Sequence, residues 1–206
     1  MFRLLQPFGI GSRTGGAAAG PTTLISDTFT DTDTTALASH TIAPTNTPAT
    51  SWTVDVGAIT ISSNKAIATE DSRASADAGI ANGSVSASMQ MTNNGSNAAM
   101  GVAGRVTDAS NLWVARLFDS NFELYEVNAG VFTLRDIEVF AVVINTDYLV
   151  KIVFNGTSIT ATVDGGTSLT YTSSFSQAAT KHGIYMYAAA GNTARADNFT
   201  VTNATS

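Results

Sequence analysis

Apolar and polar residues alternate along most of this chain, in short runs that turn residues separate. Residues 52–56 and 84–91 show the pattern most clearly, because every second residue in them is apolar. A period of two is typical of a β-strand with one buried face. The most helix-like stretches, residues 34–37 and 176–179, are only single turns. The pattern therefore predicts an all-β protein.

Turn signals indicate how the predicted strands are joined. Asp119-Ser120-Asn121 separates two apolar strands and is a hairpin signal. The strongest hairpin signal is Asn155-Gly156, between residues 148–154 and 158–163, because this dipeptide suits a tight type I′ turn. About a dozen short strands at this spacing predict an antiparallel sandwich or barrel.

Composition narrows the class of protein. Charged residues make up 13% of the chain, well below the usual quarter, and Thr, Ser, Ala, Gly and Asn replace them. This is typical of strand-rich secreted or virion proteins. The absence of Cys excludes disulfides and thiolate metal sites. The formal net charge of −6 argues against a nucleic-acid partner, and no apolar run is long enough for a membrane span.

The first 22 residues differ from the rest of the chain. They contain two arginines and no acid, whereas the remainder has eight basic and sixteen acidic residues. Such a Gly- and Ala-rich segment buries too little apolar surface to fold alone. We therefore expect an extended arm over residues 1–22 that docks on a neighbouring protein, followed by one β domain over residues 23–206. The predicted docking residues are Phe2, Arg3, Leu4, Leu5, Phe8, Ile10 and Arg13.

Several short segments of the β domain occur in a characteristic order along the chain. The segments are Asp27-Thr28-Phe29-Thr30, Ser51-Trp52-Thr53-Val54, Gly101-Val102-Ala103-Gly104-Arg105, Lys181-His182-Gly183-Ile184-Tyr185 and Arg195-Ala196-Asp197-Asn198-Phe199. Over residues 24–202 the chain resembles the concanavalin A-like (laminin-G-like) jelly-roll modules of phage and bacterial surface proteins. The resemblance implies an antiparallel jelly-roll sandwich. It implies no single function, because this fold carries lectins, glycanases, adhesins and structural modules.

No catalytic residues are predicted. Glycoside hydrolases of this fold carry a Glu-x-Asp-x-x-Glu motif on one strand, since an acid and a nucleophile must flank the glycosidic bond. The chain has four Glu and none lies in such a motif. Glu123 and Glu126 are three residues apart on a predicted strand and are expected to point to opposite faces. We therefore expect a protein that is not an enzyme.

Aromatic residues are the candidates for sugar binding. Tyr185 and Tyr187 share one face of a predicted strand, where they could contact a glycan. Trp52 and Trp113 lie in alternating patterns and are expected in the core.

Histidines and aspartates offer the remaining candidate ligands. We expect His40 to be exposed in a Thr-rich loop and His182 to be a structural, hydrogen-bonded residue. Asp27 and Asp197 match the family's first-strand and last-strand acids, and the resemblance implies a structural Ca²⁺ at them if those strands pair. The alternative, which we favour, is that each carboxylate accepts a nearby backbone N–H. No other cofactor is expected.

The arm directs the functional prediction. An apolar-tipped, Gly-rich arm before a compact β domain resembles the organisation of phage decoration and fibre proteins, whose N-terminal ends bind the particle. The main prediction is a non-enzymatic virion surface protein of a tailed phage, anchored by its arm to capsid or tail proteins. A homo-oligomer and a surface glycan ligand are also expected, without nucleic acid or membrane. The alternative is a carbohydrate-binding module of a phage or bacterial surface protein.

Overall fold

A computed structural model describes residues 20–42, 51–92, 98–188 and 191–203 of the chain. Within these ranges the chain forms fifteen β-strands and one short 3-10 helix, Leu37–Ser39. All strand pairs are antiparallel, and the strands form two sheets that enclose a common core. The all-β jelly-roll sandwich predicted from the sequence is thereby confirmed.

The two sheets interleave strands that are distant in the sequence. In chain order the strands are β1 (Thr23–Asp27), β2 (Thr53–Val56), β3 (Thr60–Ser62), β4 (Lys65–Ala68), β5 (Ser72–Asp77), β6 (Gly83–Met91), β7 (Ala98–Asp108), β8 (Asn111–Phe118), β9 (Asn121–Asn128), β10 (Val131–Val139), β11 (Asp147–Asn155), β12 (Ser158–Val163), β13 (Thr167–Thr172), β14 (Lys181–Ala188) and β15 (Ala194–Thr202). The first sheet has the order β13-β12-β11-β6-β15-β4-β3, with β1 also paired to β15. The second sheet has the order β10-β9-β8-β7-β14-β5-β2.

The core lies between the sheets, where alternate residues of each strand point inward. Trp52 and Trp113 are both buried there, which confirms their predicted placement. The second sheet also carries a smaller apolar cluster on its other face. Tyr185 belongs to this outer cluster and is only 3% exposed. The second sheet is therefore covered by apolar side chains on both faces, which is unusual for the outside of an antiparallel sandwich.

The hairpin at Asn155-Gly156 forms, but with a different turn from the one predicted. Asn155 pairs with Ser158, so the two loop residues are Gly156 and Thr157. A positive φ, 58°, occurs at Gly156 and not at Asn155 or Thr157. A type I′ turn needs positive φ at both central residues, whereas a type II′ turn needs it only at the first. The turn is therefore of the II′ pattern, and the type I′ prediction is wrong.

His40 is buried, and the prediction that it is exposed is wrong. Its Nε2 lies 3.0 Å from Asp27 Oδ1 and its Nδ1 lies 3.0 Å from Asp31 Oδ2. The loop after β1 folds back over the strand, and its sequence alone does not show that two carboxylates meet the ring. Burial by itself would lower the pKa of His40, but the hydrogen bonds to Asp31 and Asp27 raise it above the ordinary value. Both ring nitrogens face carboxylate oxygens, which accept hydrogen bonds and do not donate them, so these contacts favour the doubly protonated ring.

The paired imidazolium makes stability depend on pH. Because the pKa of His40 is raised in the folded state, its contribution is fully present below the ordinary pKa of about 6.5 and is lost as pH rises through the folded value. We expect the urea midpoint of wild type to fall, relative to His40→Gln, as pH rises above about 6.5. Urea denaturation at each pH measures this. A midpoint difference that stays constant over the range would contradict it.

The N-terminal prediction falls largely outside the described ranges. All seven docking residues precede residue 20, so the arm and its partner stay predictions. The first described contacts of this end tie it to the last strand: the Thr22 N–H donates to Asn203 Oδ1 at 2.7 Å, and the Asn203 N–H donates to Thr22 O at 3.1 Å. In the part of the chain that the structure describes, no helix is long and apolar enough to cross a membrane.

Candidate functional site

A pocket of about 440 Å³ lies on the outer face of the second sheet, above the smaller apolar cluster. Strands β8, β9, β10 and β14 each contribute side chains to it, because alternate residues of these strands point outward. The lining residues are Asp71, Arg116, Phe118, Tyr125, Phe132, Tyr185 and Tyr187. The pocket is therefore mostly aromatic, with one cation and one carboxylate at its wall.

The guanidinium of Arg116 is surrounded by aromatic rings. Its Cζ lies 4.5 Å from the ring centroid of Tyr125, 5.1 Å from that of Phe118, 5.8 Å from that of Tyr185 and 5.9 Å from that of Phe132. A cation within about 6 Å of a ring centroid is attracted by the ring quadrupole. The four rings and the guanidinium therefore fix one another in place.

The edge of the same guanidinium is hydrogen-bonded. Arg116 Nε donates to Glu123 Oε2 at 2.9 Å, and Nη1 donates to the Tyr185 hydroxyl at 3.2 Å. Burial would lower the pKa of Arg116, but the neighbouring Tyr185 and Glu123 outweigh it and raise the pKa. Burial also raises the pKa of Tyr185, so its hydroxyl stays protonated. The pocket thus holds a permanent cation that one carboxylate compensates.

A second ion pair adjoins the pocket. Arg73 Nη2 donates to Asp71 Oδ2 at 3.2 Å, and Nη1 donates to Ala109 O at 2.7 Å. The Arg73 Cζ lies 5.5 Å from the Phe132 centroid and 5.7 Å from that of Tyr185. These two rings therefore lie near both guanidiniums, and cation–π attraction favours this packing.

The register of the sheet explains how the aromatic and charged residues meet. On the central strand β7, Gly101 pairs with Arg116 of β8 on one side and with Tyr185 of β14 on the other. Arg116 and Tyr185 hydrogen-bond to each other, although Gly101 lies between them in the sheet. The side chains of Arg116 and Tyr185 can meet because Gly101 has no side chain that would stand between them.

The structure places both tyrosines predicted to contact glycan at this pocket. Tyr185 is almost fully buried and its hydroxyl accepts from Arg116, whereas Tyr187 is half-buried at the wall. Sequence reasoning missed the other lining residues, above all Arg116. The sequence does contain one signal for them. Apart from Arg116, residues 112–118 are all apolar, so both faces of this predicted strand are apolar. A strand that is apolar on both faces is covered on both faces.

The two aspartates predicted as calcium ligands accept hydrogen bonds from protein groups. Asp27 and Asp197 lie on the paired strands β1 and β15, but Asp27 is opposite Phe199. Asp27 Oδ1 accepts the Phe29 N–H at 2.7 Å, and Asp197 Oδ1 accepts the Asn198 N–H at 2.7 Å. Each carboxylate thus accepts a backbone N–H, the arrangement that the favoured alternative specified. The described residues contain no group of three or more His, Asp or Glu placed to hold a metal ion.

The remaining candidate residues, Glu123, Glu126 and His182, contact other protein groups. Glu123 and Glu126 point to opposite faces of β9 as predicted: Glu123 pairs with Arg116 on the outer face, and Glu126 pairs with Arg135 at 3.1 Å. His182 is buried, its Nε2 donates to Ile80 O at 2.9 Å, and burial lowers its pKa to about 4. This confirms the structural, hydrogen-bonded role predicted for His182.

Comparison with known proteins identifies the fold. No family model and no curated protein matches the sequence. Among solved structures, the carbohydrate-binding module CBM66 from Bacillus subtilis is similar, with a TM-score of 0.58 and 14% identity over 74% of this chain and 96% of that one. The binding domain of Botulinum neurotoxin DC in complex with rat synaptotagmin II has a TM-score of 0.57 and 12% identity over 90% and 49% of the two chains. The GH43 protein BlXynB from Bacillus licheniformis has a TM-score of 0.53 and 12% identity over 67% and 33%.

These likenesses define the class of protein as a jelly-roll-like β-sandwich. The chain spans nearly all of the Bacillus subtilis module, but about half of the neurotoxin binding domain and a third of the GH43 protein. At 12–14% identity they show the fold alone.

Proposed function

We propose that this protein binds carbohydrate, and that it does so through the pocket on the outer face of the second sheet. The observation that carries the proposal is the guanidinium of Arg116, fixed among four aromatic rings in a pocket that is open to solvent. Ligand sites are typically concave and aromatic, with a few polar groups fixed in orientation. Aromatic faces pack against the C–H faces of a sugar ring, and the charged groups hydrogen-bond its hydroxyls.

A purely structural role for the cluster is the alternative. An arginine among rings also stabilises a sheet surface, and Tyr185 is too buried to offer its whole ring to a ligand. Tyr125, Phe132 and Tyr187, however, are only partly buried. A cluster that served stability alone would gain by covering these rings, so their exposure supports binding.

The fold neighbours support the same proposal. One of them is a carbohydrate-binding module, and this chain covers 96% of it. Binding without hydrolysis is the simplest function for this pocket, since Asp71 at its wall and Glu123, the partner of Arg116, are each held by an arginine. Retaining hydrolysis requires two carboxyl groups free to act as acid and nucleophile on one bond.

The virion-surface role belongs to the arm and is a separate proposal. It rests on the apolar tip and the two arginines of residues 1–22, a segment that lies mostly outside the described ranges. The two roles are compatible, because a protein anchored to a particle by its arm could hold surface sugars with its sandwich.

Truncating the exposed tyrosine tests the proposed pocket. We expect Tyr187→Ala to weaken glycan binding about tenfold, roughly 1.4 kcal/mol, because it removes part of the aromatic wall. Wild type is screened on an array of oligosaccharides, and the glycans bound are titrated calorimetrically against both proteins.

The matched control is Val139→Ser, an exposed apolar residue on the same sheet but outside the pocket. It is expected to bind like wild type. The proposal fails if Tyr187→Ala binds the same glycans with unchanged affinity, or if wild type binds none.

A further inference from the structure

We propose that the pocket selects an uncharged saccharide and rejects the corresponding acidic one, an inference that rests on the proposed glycan-binding function. The reason is that every formal charge at the pocket is already compensated by a protein partner, so a charged ligand would leave at least one charge unpaired.

The charged residues at the pocket form two ion pairs. Arg116 pairs with Glu123 at 2.9 Å, and Arg73 pairs with Asp71 at 3.2 Å. Arg116 and Glu123 are only 14% and 7% exposed, so this pair is poorly screened by water. Arg116 and Asp71 line the pocket, and with their partners Glu123 and Arg73 the two pairs carry no net charge.

The charged groups at the pocket keep both hydrogen-bond donors and hydrogen-bond acceptors that a ligand could use. A guanidinium has five N–H donors, and Glu123 and Tyr185 take one each from Arg116. The Asp71 side chain is 40% exposed, and its Oδ2 accepts a hydrogen bond from Arg73 Nη2, so an oxygen of this carboxylate can accept further hydrogen bonds at the pocket wall. A hydroxyl donates and accepts at once, and adjacent hydroxyls of a sugar ring therefore match a donor beside an acceptor.

A charged ligand matches only half of this arrangement. A carboxylate or sulfate on the sugar would accept from Arg116 but would face Asp71 and Glu123. An amino sugar carrying a positive charge would approach Asp71 but would face Arg73 and Arg116. In a partly desolvated pocket, the repulsion between like charges outweighs the attraction from the one new ion pair.

The charge of the whole chain acts in the same direction. The formal net charge is −6, and residues after the arm carry eight basic against sixteen acidic groups. An acidic polysaccharide is therefore repelled at long range, and more so at low salt. Both the local pairs and the overall charge favour an uncharged ligand.

Matched sugars that differ only in charge test the proposal. The probes are three pairs with the same ring stereochemistry: oligogalactosides with oligogalacturonides, oligoglucosides with oligoglucuronides, and oligomannosides with oligomannuronides. Each is titrated calorimetrically into the full chain at about 0.05 M and about 0.5 M salt. We expect at least one neutral member to bind about tenfold more tightly than its acidic partner, with a Kd that changes less than about twofold with salt.

A variant that removes the charge of one ion-pair partner tests whether charge compensation causes the selectivity. Glu123→Gln keeps an oxygen acceptor for Arg116 Nε but removes the compensating charge. We expect it to shift the ratio of acidic to neutral affinity by about tenfold toward the acidic member, with binding that weakens as salt rises. Glu138→Gln is the control, because it makes the same charge change at an exposed position of β10 outside the pocket. It should leave the ratio unchanged.

The outcomes separate the two proposals. If wild type binds an acidic member more tightly than its neutral partner, the charge selection is overturned while glycan binding stands. If Glu123→Gln and Glu138→Gln give the same ratio, charge compensation is not the cause and the inference is overturned. If wild type binds no member of any pair, the inference is overturned, and the array of the previous section decides separately whether the protein binds glycans.

Discussion

Replacing Asp27 with alanine is expected to lower the free energy of unfolding by about 3–5 kcal/mol. The carboxylate is 4% exposed and accepts three hydrogen bonds. The donors are the Phe29 N–H at 2.7 Å, Trp52 Nε1 at 2.7 Å and His40 Nε2 at 3.0 Å. Its loss leaves two buried N–H groups without an acceptor and removes one of the two carboxylates beside the imidazolium. Unfolding in urea at neutral pH measures the change.

Asp197→Ala is the matched control on the paired strand β15. Asp197 is 22% exposed, accepts the Asn198 N–H and lies 3.8 Å from Lys65 Nζ. Such a long, partly exposed ion pair contributes little, and we expect a loss below about 1 kcal/mol. Equal losses for the two aspartates would show that the Trp52–Asp27–His40 network does not stabilise the start of the sandwich as proposed.

The strands were predictable from the sequence because burial of one face produces a period of two. Residues 84–91 were predicted as a strand, and β6 is Gly83–Met91. The same reasoning placed Trp52 and Trp113 in the core, where both are buried. These features depend only on neighbours along one strand.

The pocket was not predictable in the same way, because it depends on pairing between distant strands. Arg116 and Tyr185 are 69 residues apart and meet only because β7 lies between β8 and β14. On β8 the inward Trp113 and the outward Val114 are both apolar, so the strand has no polar face to reveal its orientation. The pairing of the strands, rather than their pattern, creates the site.

The error at His40 has a related cause. A Thr-rich loop is ordinarily exposed, and the residue types near His40 gave no contrary signal. Its burial follows from the approach of Asp27 and Asp31, which are thirteen and nine residues earlier in the chain. Exposure of a polar residue is set by the contacts that the folded chain brings to it, and these are invisible in its local sequence.

Replacing Gly101 with valine is expected to cost about 3 kcal/mol or more of stability and to abolish binding at the pocket. A Cβ at this position would collide with the carbonyl oxygen of Ala115 and lie 2.7 Å from the Cα of Arg116. Both are backbone atoms, and β7 is the central strand of its sheet, held on one side by β8 and on the other by β14. Relief of the collision therefore requires β8 to move, and β8 carries Arg116.

Gly166→Ala separates this steric effect from the general effect of removing a glycine. Its added Cβ would have the Val163 carbonyl oxygen as its nearest contact, at 3.9 Å, and its φ is not positive. We expect a change within about 1 kcal/mol, stabilising if anything, because alanine restricts the unfolded chain. Urea midpoints give the stability, and calorimetric titration with the glycan bound by wild type gives the affinity. If Gly101→Val folds with wild-type stability and binds normally, then β8 and β14 do not depend on the bare position between them, and the proposed origin of the pocket is wrong.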